Sequence, residues 1–155
     1  MASDSATVGL HHTAIVVRDL ERSIAFYERF FGGSVETVLR DVDDPNIAEL
    51  HQLADARFTL AFVRFGLTRL ELFQFERPTD GRALADRAND FGVRHICFEI
   101  ADVHDAYARM TSAGVPFTRP PYTVPGSGAR GTVLAFCTDP DGTRLELLQP
   151  GSDLH

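Results

Sequence analysis

The heptapeptide Thr68-Arg69-Leu70-Glu71-Leu72-Phe73-Gln74 returns almost letter for letter as Thr143-Arg144-Leu145-Glu146-Leu147-Leu148-Gln149. Phe73 against Leu148 is the one difference between the copies. Each copy reads as a strand, and a strand sends alternate side chains to opposite faces. Leu70 and Leu72 therefore point one way and Glu71 the other, and the second copy repeats the arrangement with Glu146. A repeated strand commonly belongs to a repeated unit. The matching upstream pair is present: His12 opens His-Thr-Ala-Ile-Val-Val, His95 opens His-Ile-Cys-Phe-Glu-Ile, and each is followed seven residues later by an aspartate, Asp19 and Asp102.

The order of patterns predicts an α+β fold of two paired β-α-β-β-β modules, residues 8–76 and 92–150. Residues 77–91 form a linker helix carrying Leu84 and Ala88, residues 1–7 a disordered polar tail, and residues 151–155 a short tail. In the first module the expected elements are a strand Leu10 to Val17, then a helix capped by Asp19 with Leu20, Ile24, Tyr27 and Phe31 at helical spacing, stopped by Gly32-Gly33. A strand Val35 to Arg40 follows. The segment Asp41 to Asp55 breaks strand periodicity and reads as an inserted helix or lid that starts at Asp44-Pro45, with Ile47, Leu50 and Leu53 or Ala54 as its apolar stripe. Phe58 to Phe65 and Thr68 to Phe75 make a hairpin about Gly66. The second module is expected as strand Val93 to Ile100, helix Val103 to Ala113 stopped by Gly114, strand Val115 to Arg119, a Pro/Gly-rich loop Pro120 to Gly131, strand Thr132 to Cys137, and a turn at Asp139-Pro140-Asp141-Gly142 before the second acid strand.

With 155 residues, 44% of them apolar, the chain can bury an ordinary globular core. Its formal charge of -7 and scattered arginines argue against a nucleic-acid surface. Its apolar runs are strand length, well short of the roughly 20 residues a membrane helix needs, and its start lacks a signal pattern. The expectation is a cytoplasmic protein with no membrane partner. Cys97 and Cys137 match no metal-binding spacing and are expected as buried free thiols.

His12, Glu71, His95 and Glu146 share strand parity, each with apolar backing on the other side. If the modules pack so that their strands form one curved, mostly antiparallel sheet, the four side chains meet on its concave face around a metal site. Imidazole nitrogen with carboxylate oxygen suits one divalent ion: zinc, nickel, cobalt, manganese or iron(II). Each residue alone has an ordinary explanation, a core histidine or the wet face of a strand. Their repetition on one face does not, because the two carboxylates would repel each other there without a positive charge between them.

These residues resemble the vicinal oxygen chelate superfamily, which includes glyoxalase I, methylmalonyl-CoA epimerase, extradiol dioxygenases, and fosfomycin- and bleomycin-resistance proteins. The likeness runs from about Gly9 to Pro150 and is most specific at His12 with Asp19-Leu20-Glu21-Arg22-Ser23-Ile24-Ala25-Phe26-Tyr27, at His95 to Asp102, and at Asp139-Pro140-Asp141-Gly142 with Leu145-Glu146-Leu147. It implies paired β-α-β-β-β modules, a divalent metal held at His12, Glu71, His95 and Glu146, a small-molecule substrate, and often a homodimer. The filled ligand set looks closest to methylmalonyl-CoA epimerase and glyoxalase I, lyase or isomerase chemistry in which the metal holds a carbonyl or enediolate and Glu146, or Glu71, moves a proton. One departure is that Phe58 to Val63 carries no second acid of the kind such epimerases place on the preceding strand. Two alternatives stay open. The first is an iron(II)-dependent ring-cleaving dioxygenase using His12, His95 and Glu146, and the second a non-catalytic drug-binding resistance protein. Phe73 and Phe75, with Arg69 and Arg144, are candidate substrate-pocket residues, and His51, His104 and Tyr122 are further acid/base candidates.

Overall fold

The computed structural model describes residues 9–82, 87, 89, 91–126, 128–152 and 154. The chain divides into two compact units, Met1–Thr79 and Asp80–His155. The expected tail 1–7 lies outside the described residues, as do Leu84 and Ala88 of the expected linker helix.

In the first unit the order is β1 (Thr13–Val16), α1 (Leu20–Phe31), β2 (Ser34–Val42), α2 (Pro45–Leu50), β3 (Arg57–Phe65) and β4 (Thr68–Arg77). The sheet runs β1-β4-β3-β2, with β1 parallel to β4 and the other pairings antiparallel. Asp19 caps α1, its side chain accepting from the Arg22 amide, and Gly32 ends it in the left-handed conformation at φ 66°. Helical spacing buries Leu20, Ile24 and Tyr27 on the side of β3 and β4 that carries Ala61, Val63, Leu70 and Leu72. Each of these larger apolar side chains stabilises the fold by roughly 1.5–3 kcal/mol on burial.

The second unit repeats the plan: β5 (Ile96–Glu99), α3 (Val103–Ser112), β6 (Tyr122–Thr123), β7 (Val133–Thr138) and β8 (Arg144–Gln149), with the sheet order β5-β8-β7-β6. Asp102 caps α3 by accepting from the Asp105 amide. Val103, Ala106 and Met110 are buried, as are Ala135, Cys137, Leu145 and Leu147 of β7 and β8. The α+β class and the doubled module order agree with expectation. The strands form two four-stranded mixed sheets, one in each unit.

Four local expectations are corrected. The first strands of both modules are shorter than their apolar patterns, so that His12 and His95 sit immediately before β1 and β5. The strand expected at Val115 to Arg119 is reduced to one bridge, Phe117 to Cys137, and β6 lies inside the expected loop. Pro116, Pro120 and Pro121 explain both changes, since proline brings no amide to a ladder. In α2, Leu50 is exposed and Ala48 is the buried residue, because Ile47, Ala48 and Leu53 form the side that packs on the sheet. Cys97 is exposed, and only Cys137 is a buried thiol.

Candidate functional site: two histidine–glutamate pairs

Register explains where each glutamate lies. Glu71 stands between Ala14 of β1 and Phe62 of β3, and Glu146 between Cys97 of β5 and Phe136 of β7. Because each histidine directly precedes the strand beside its glutamate, the side chains meet within each unit. His12 Nε2 is 3.1 Å from Glu71 Oε2, and His95 Nε2 is 3.0 Å from Glu146 Oε2. Both carboxylates are largely covered, with side chains 12% exposed, whereas the histidines keep 35% and 40% of theirs open. The two units thus present the same half-open nitrogen and oxygen pair.

A phenylalanine that the sequence reading passed over completes each pair. The Phe62 ring lies edge-on to His12 at 5.5 Å between centroids, and Phe136 lies edge-on to His95 at 5.6 Å. Both are the direct cross-strand neighbours of the glutamates. Counting back across each hairpin from Glu71 and Glu146 finds them, whereas apolar periodicity makes them look like core. His11 adds a contact found in the first unit, its Nδ1 lying 2.8 Å from Nδ1 of His12, so one of these two rings must donate to the other. In the second unit the Cys97 thiol bonds to Glu146, and partial burial together with that carboxylate pushes the thiol up to about 12.

In each unit the donor chemistry suits two ligands of a divalent ion. An imidazole nitrogen and a carboxylate oxygen are ligands for zinc and its neighbours at about 2.1 Å, and two such ligands at right angles about an ion stand about 3.0 Å apart. The observed separations have that length, which is also the length of a charge-assisted hydrogen bond. Among the described residues no group of three or more His, Cys, Asp or Glu side chains is placed to hold a metal ion.

Of the other candidates, Arg69, Phe73 and Phe75 share the Glu71 face of β4, and His51 packs against that face. Phe73 and Phe75 stack on each other at 5.9 Å and belong to the apolar cluster of Ala48, Ala56, Phe58 and Leu60 that α2 covers. His51, at the end of α2, packs edge-on to Phe58 and Phe73. Arg69 is engaged by Glu36, and Arg144 opens β8 opposite Thr138. His104 is exposed in the first turn of α3, and Tyr122 is exposed with the Arg119 guanidinium over its ring.

Comparison with known proteins agrees with this architecture. Residues 9–147 match the family described as the Glyoxalase/Bleomycin resistance protein/Dioxygenase superfamily, and the chain belongs to it. It is 32% identical over 146 residues to a 2-epi-5-epi-valiolone epimerase of Actinomyces sp., covering 91% of this chain and 79% of that protein. It is 31% identical over 140 residues to the lactoylglutathione lyase of Salmonella typhimurium, covering 90% of this chain and 91% of the relative. A glyoxalase family protein from Bacillus cereus shares the fold with a TM-score of 0.79 at 20% identity, over 97% of this chain and 99% of that one. Relatives named as a lyase and an epimerase support an enzyme of this superfamily acting on a small molecule. Among the described residues no helix is long and apolar enough to cross a membrane.

Proposed function

We propose that the chain is a divalent-metal-dependent enzyme of the glyoxalase or epimerase type, a lyase or isomerase, and that His12, Glu71, His95 and Glu146 together supply its metal ligands. The metal is zinc, nickel, cobalt, manganese or iron(II), and the ligand set is completed within one chain or across a homodimer. The carrying observation is the duplicated pair itself, imidazole against carboxylate at 3.1 and 3.0 Å. When bound, the ion would polarise a substrate carbonyl and lower the acidity barrier of the adjacent C–H. Glu146 serves as the principal base: its carboxylate takes the proton from carbon and returns it. Glu71 fills the same position in the first unit and is the secondary base. The coverage of both carboxylates keeps water from competing for that proton.

The dioxygenase reading leaves Glu71 idle. Its close contact with His12, matched to that of Glu146 with His95, favours a working role instead. A metal-independent drug-binding protein would have no need of either pair. The test is metal content after purification without chelator. About one divalent ion per chain in the wild type, lost in a His12→Ala/His95→Ala variant, is the expected result. Metal-free protein of unchanged stability would sink the proposal. Exchange of a substrate α-proton into heavy water, set against oxygen uptake with catechols, then separates proton transfer from ring cleavage.

A further inference from the structure

The first sheet carries an irregularity beside the Glu71 position. β2 pairs Val35 with Val63 and then Thr37 with Phe62, which leaves Glu36 as an extra residue in a β-bulge. Val35 faces the side covered by α1, where Val63 is fully buried, whereas Thr37 shares the face of Phe62 and Glu71. The bulge brings Glu36 onto that same face, the re-aiming that such bulges produce beside functional sites. There the Glu36 carboxylate meets two guanidiniums, Arg64 and Arg69, which oppose each other across β3 and β4. Arg69 donates from Nε to Glu36 Oε2 at 2.5 Å, and its Nη2 reaches Oε1 at 3.5 Å.

Two like charges directly opposed on neighbouring strands repel. One carboxylate shared between them leaves an excess positive charge, and the site is partly shielded, the Arg69 side chain being 24% exposed and that of Glu36 22%. Arg64 is more open, at 44%. Glu36 fixes the planar forks so that donor edges are already oriented, which is how arginine recognises carboxylate and phosphate. A strand rise of about 3.3 Å per residue sets Arg69 about 7 Å along β4 from Glu71. The second unit places Thr138 opposite Arg144, so it does not repeat this arginine pair.

We propose that Arg64 and Arg69, held by Glu36, form a binding site for the terminal carboxylate or phosphate of the substrate, whose reacting end lies toward Glu71. The proposal rests on the reading that the Glu71 face receives substrate. It adds that the substrate is a small anion with its charge several bonds from the reacting carbonyl, held by the first unit.

The test is calorimetric titration of inorganic phosphate and, separately, of propionate at low ionic strength. It is run on the wild-type chain and on the His12→Ala/His95→Ala variant, in which neither probe can bind through a metal. Saturable binding of at least one probe is expected in both, with dissociation constants on the order of millimolar for two charge-assisted contacts. The tighter probe identifies the substrate's anionic group. Arg69→Gln and Arg64→Gln should each weaken binding about tenfold, and Glu36→Gln, whose amide oxygen can still accept from a guanidinium but no longer competes as an anion, should tighten it several-fold. Absence of saturable binding, or affinity unchanged by Arg69→Gln, overturns the proposal. If Arg69→Gln does not fold, Glu36→Gln decides, and no gain in affinity there overturns it equally. Because the double histidine variant carries the same test, loss of the metal reading and loss of this one are seen separately.

Discussion

Gln74 Oε1 accepts a hydrogen bond from the Leu20 amide at 2.7 Å, tying the end of the repeated heptapeptide to the first turn of α1. Gln149 does the same for the Val103 amide of α3 at 3.1 Å. Asp19 and Asp102 serve the third amide of each helix, so two of the free first-turn donors are satisfied in each module by side chains the sequence repeats. The heptapeptide therefore does two tasks, presenting a carboxylate on one face and fixing a helix at its end.

Gln74→Ala and Gln149→Ala should each lower unfolding free energy by about 1 kcal/mol, since each leaves a part-buried amide without its acceptor. The urea midpoint should fall with an unchanged slope. Glu at either position should recover most of the loss, because a carboxylate accepts the same bond and favours the positive end of the helix. No change in midpoint for either alanine variant would show that water replaces the side chain freely.

Phe62 and Phe136 limit the rotation of the histidines they touch. Phe62→Leu and Phe136→Leu keep an apolar side chain but remove the ring edge, so they should weaken metal retention about tenfold, the lower end of effects seen for groups that orient ligands. Competition with a chelating dye measures this. Unchanged retention with a lowered melting temperature would make these rings core residues and nothing more.

How much of this was legible in sequence depended on how local the signal was. The helix caps, the αL stop at Gly32 and the leucine and glutamate alternation are written within a few residues, and the structure places them as read. Phe62 and Phe136 needed cross-strand register, which composition does not give. The bulge at Glu36 and the proline-broken strand near Phe117 depend on pairing partners far along the chain. Segment 41–55 reads as an insertion from sequence, but the exposure of Leu50 is not legible there, because a helix of six residues has too little periodicity to choose a face.

Glu71 and Glu146 share geometry but differ in neighbour, Ala14 beside one and Cys97 beside the other. With Glu146 as principal base, Glu146→Gln should cut α-proton exchange by at least about 100-fold while most of the bound metal stays. Glu71→Gln should chiefly reduce metal retention, with a smaller effect on exchange in fully loaded protein. Metal analysis and exchange measured on the same preparations separate the two roles. Equal loss of exchange in both variants would mean that the carboxylates act as a pair.

Cys137 gives a pH prediction that does not involve the metal ligands. Burial, and then the charge of Asp139, push its thiol from 9.0 up to about 12. The fold thus favours the neutral thiol, and this contribution is complete below about pH 9, the unfolded value, and is lost as pH rises toward about 12. Stability should fall across that alkaline window, and Cys137→Val, which keeps an apolar side chain of similar size, should make the decline shallower. At pH 8 Cys137 should also react with a thiol reagent far more slowly in folded protein than in urea. Urea midpoints taken at intervals from pH 8 to 11 provide the test, and parallel curves for wild type and variant would show that another group governs alkaline unfolding.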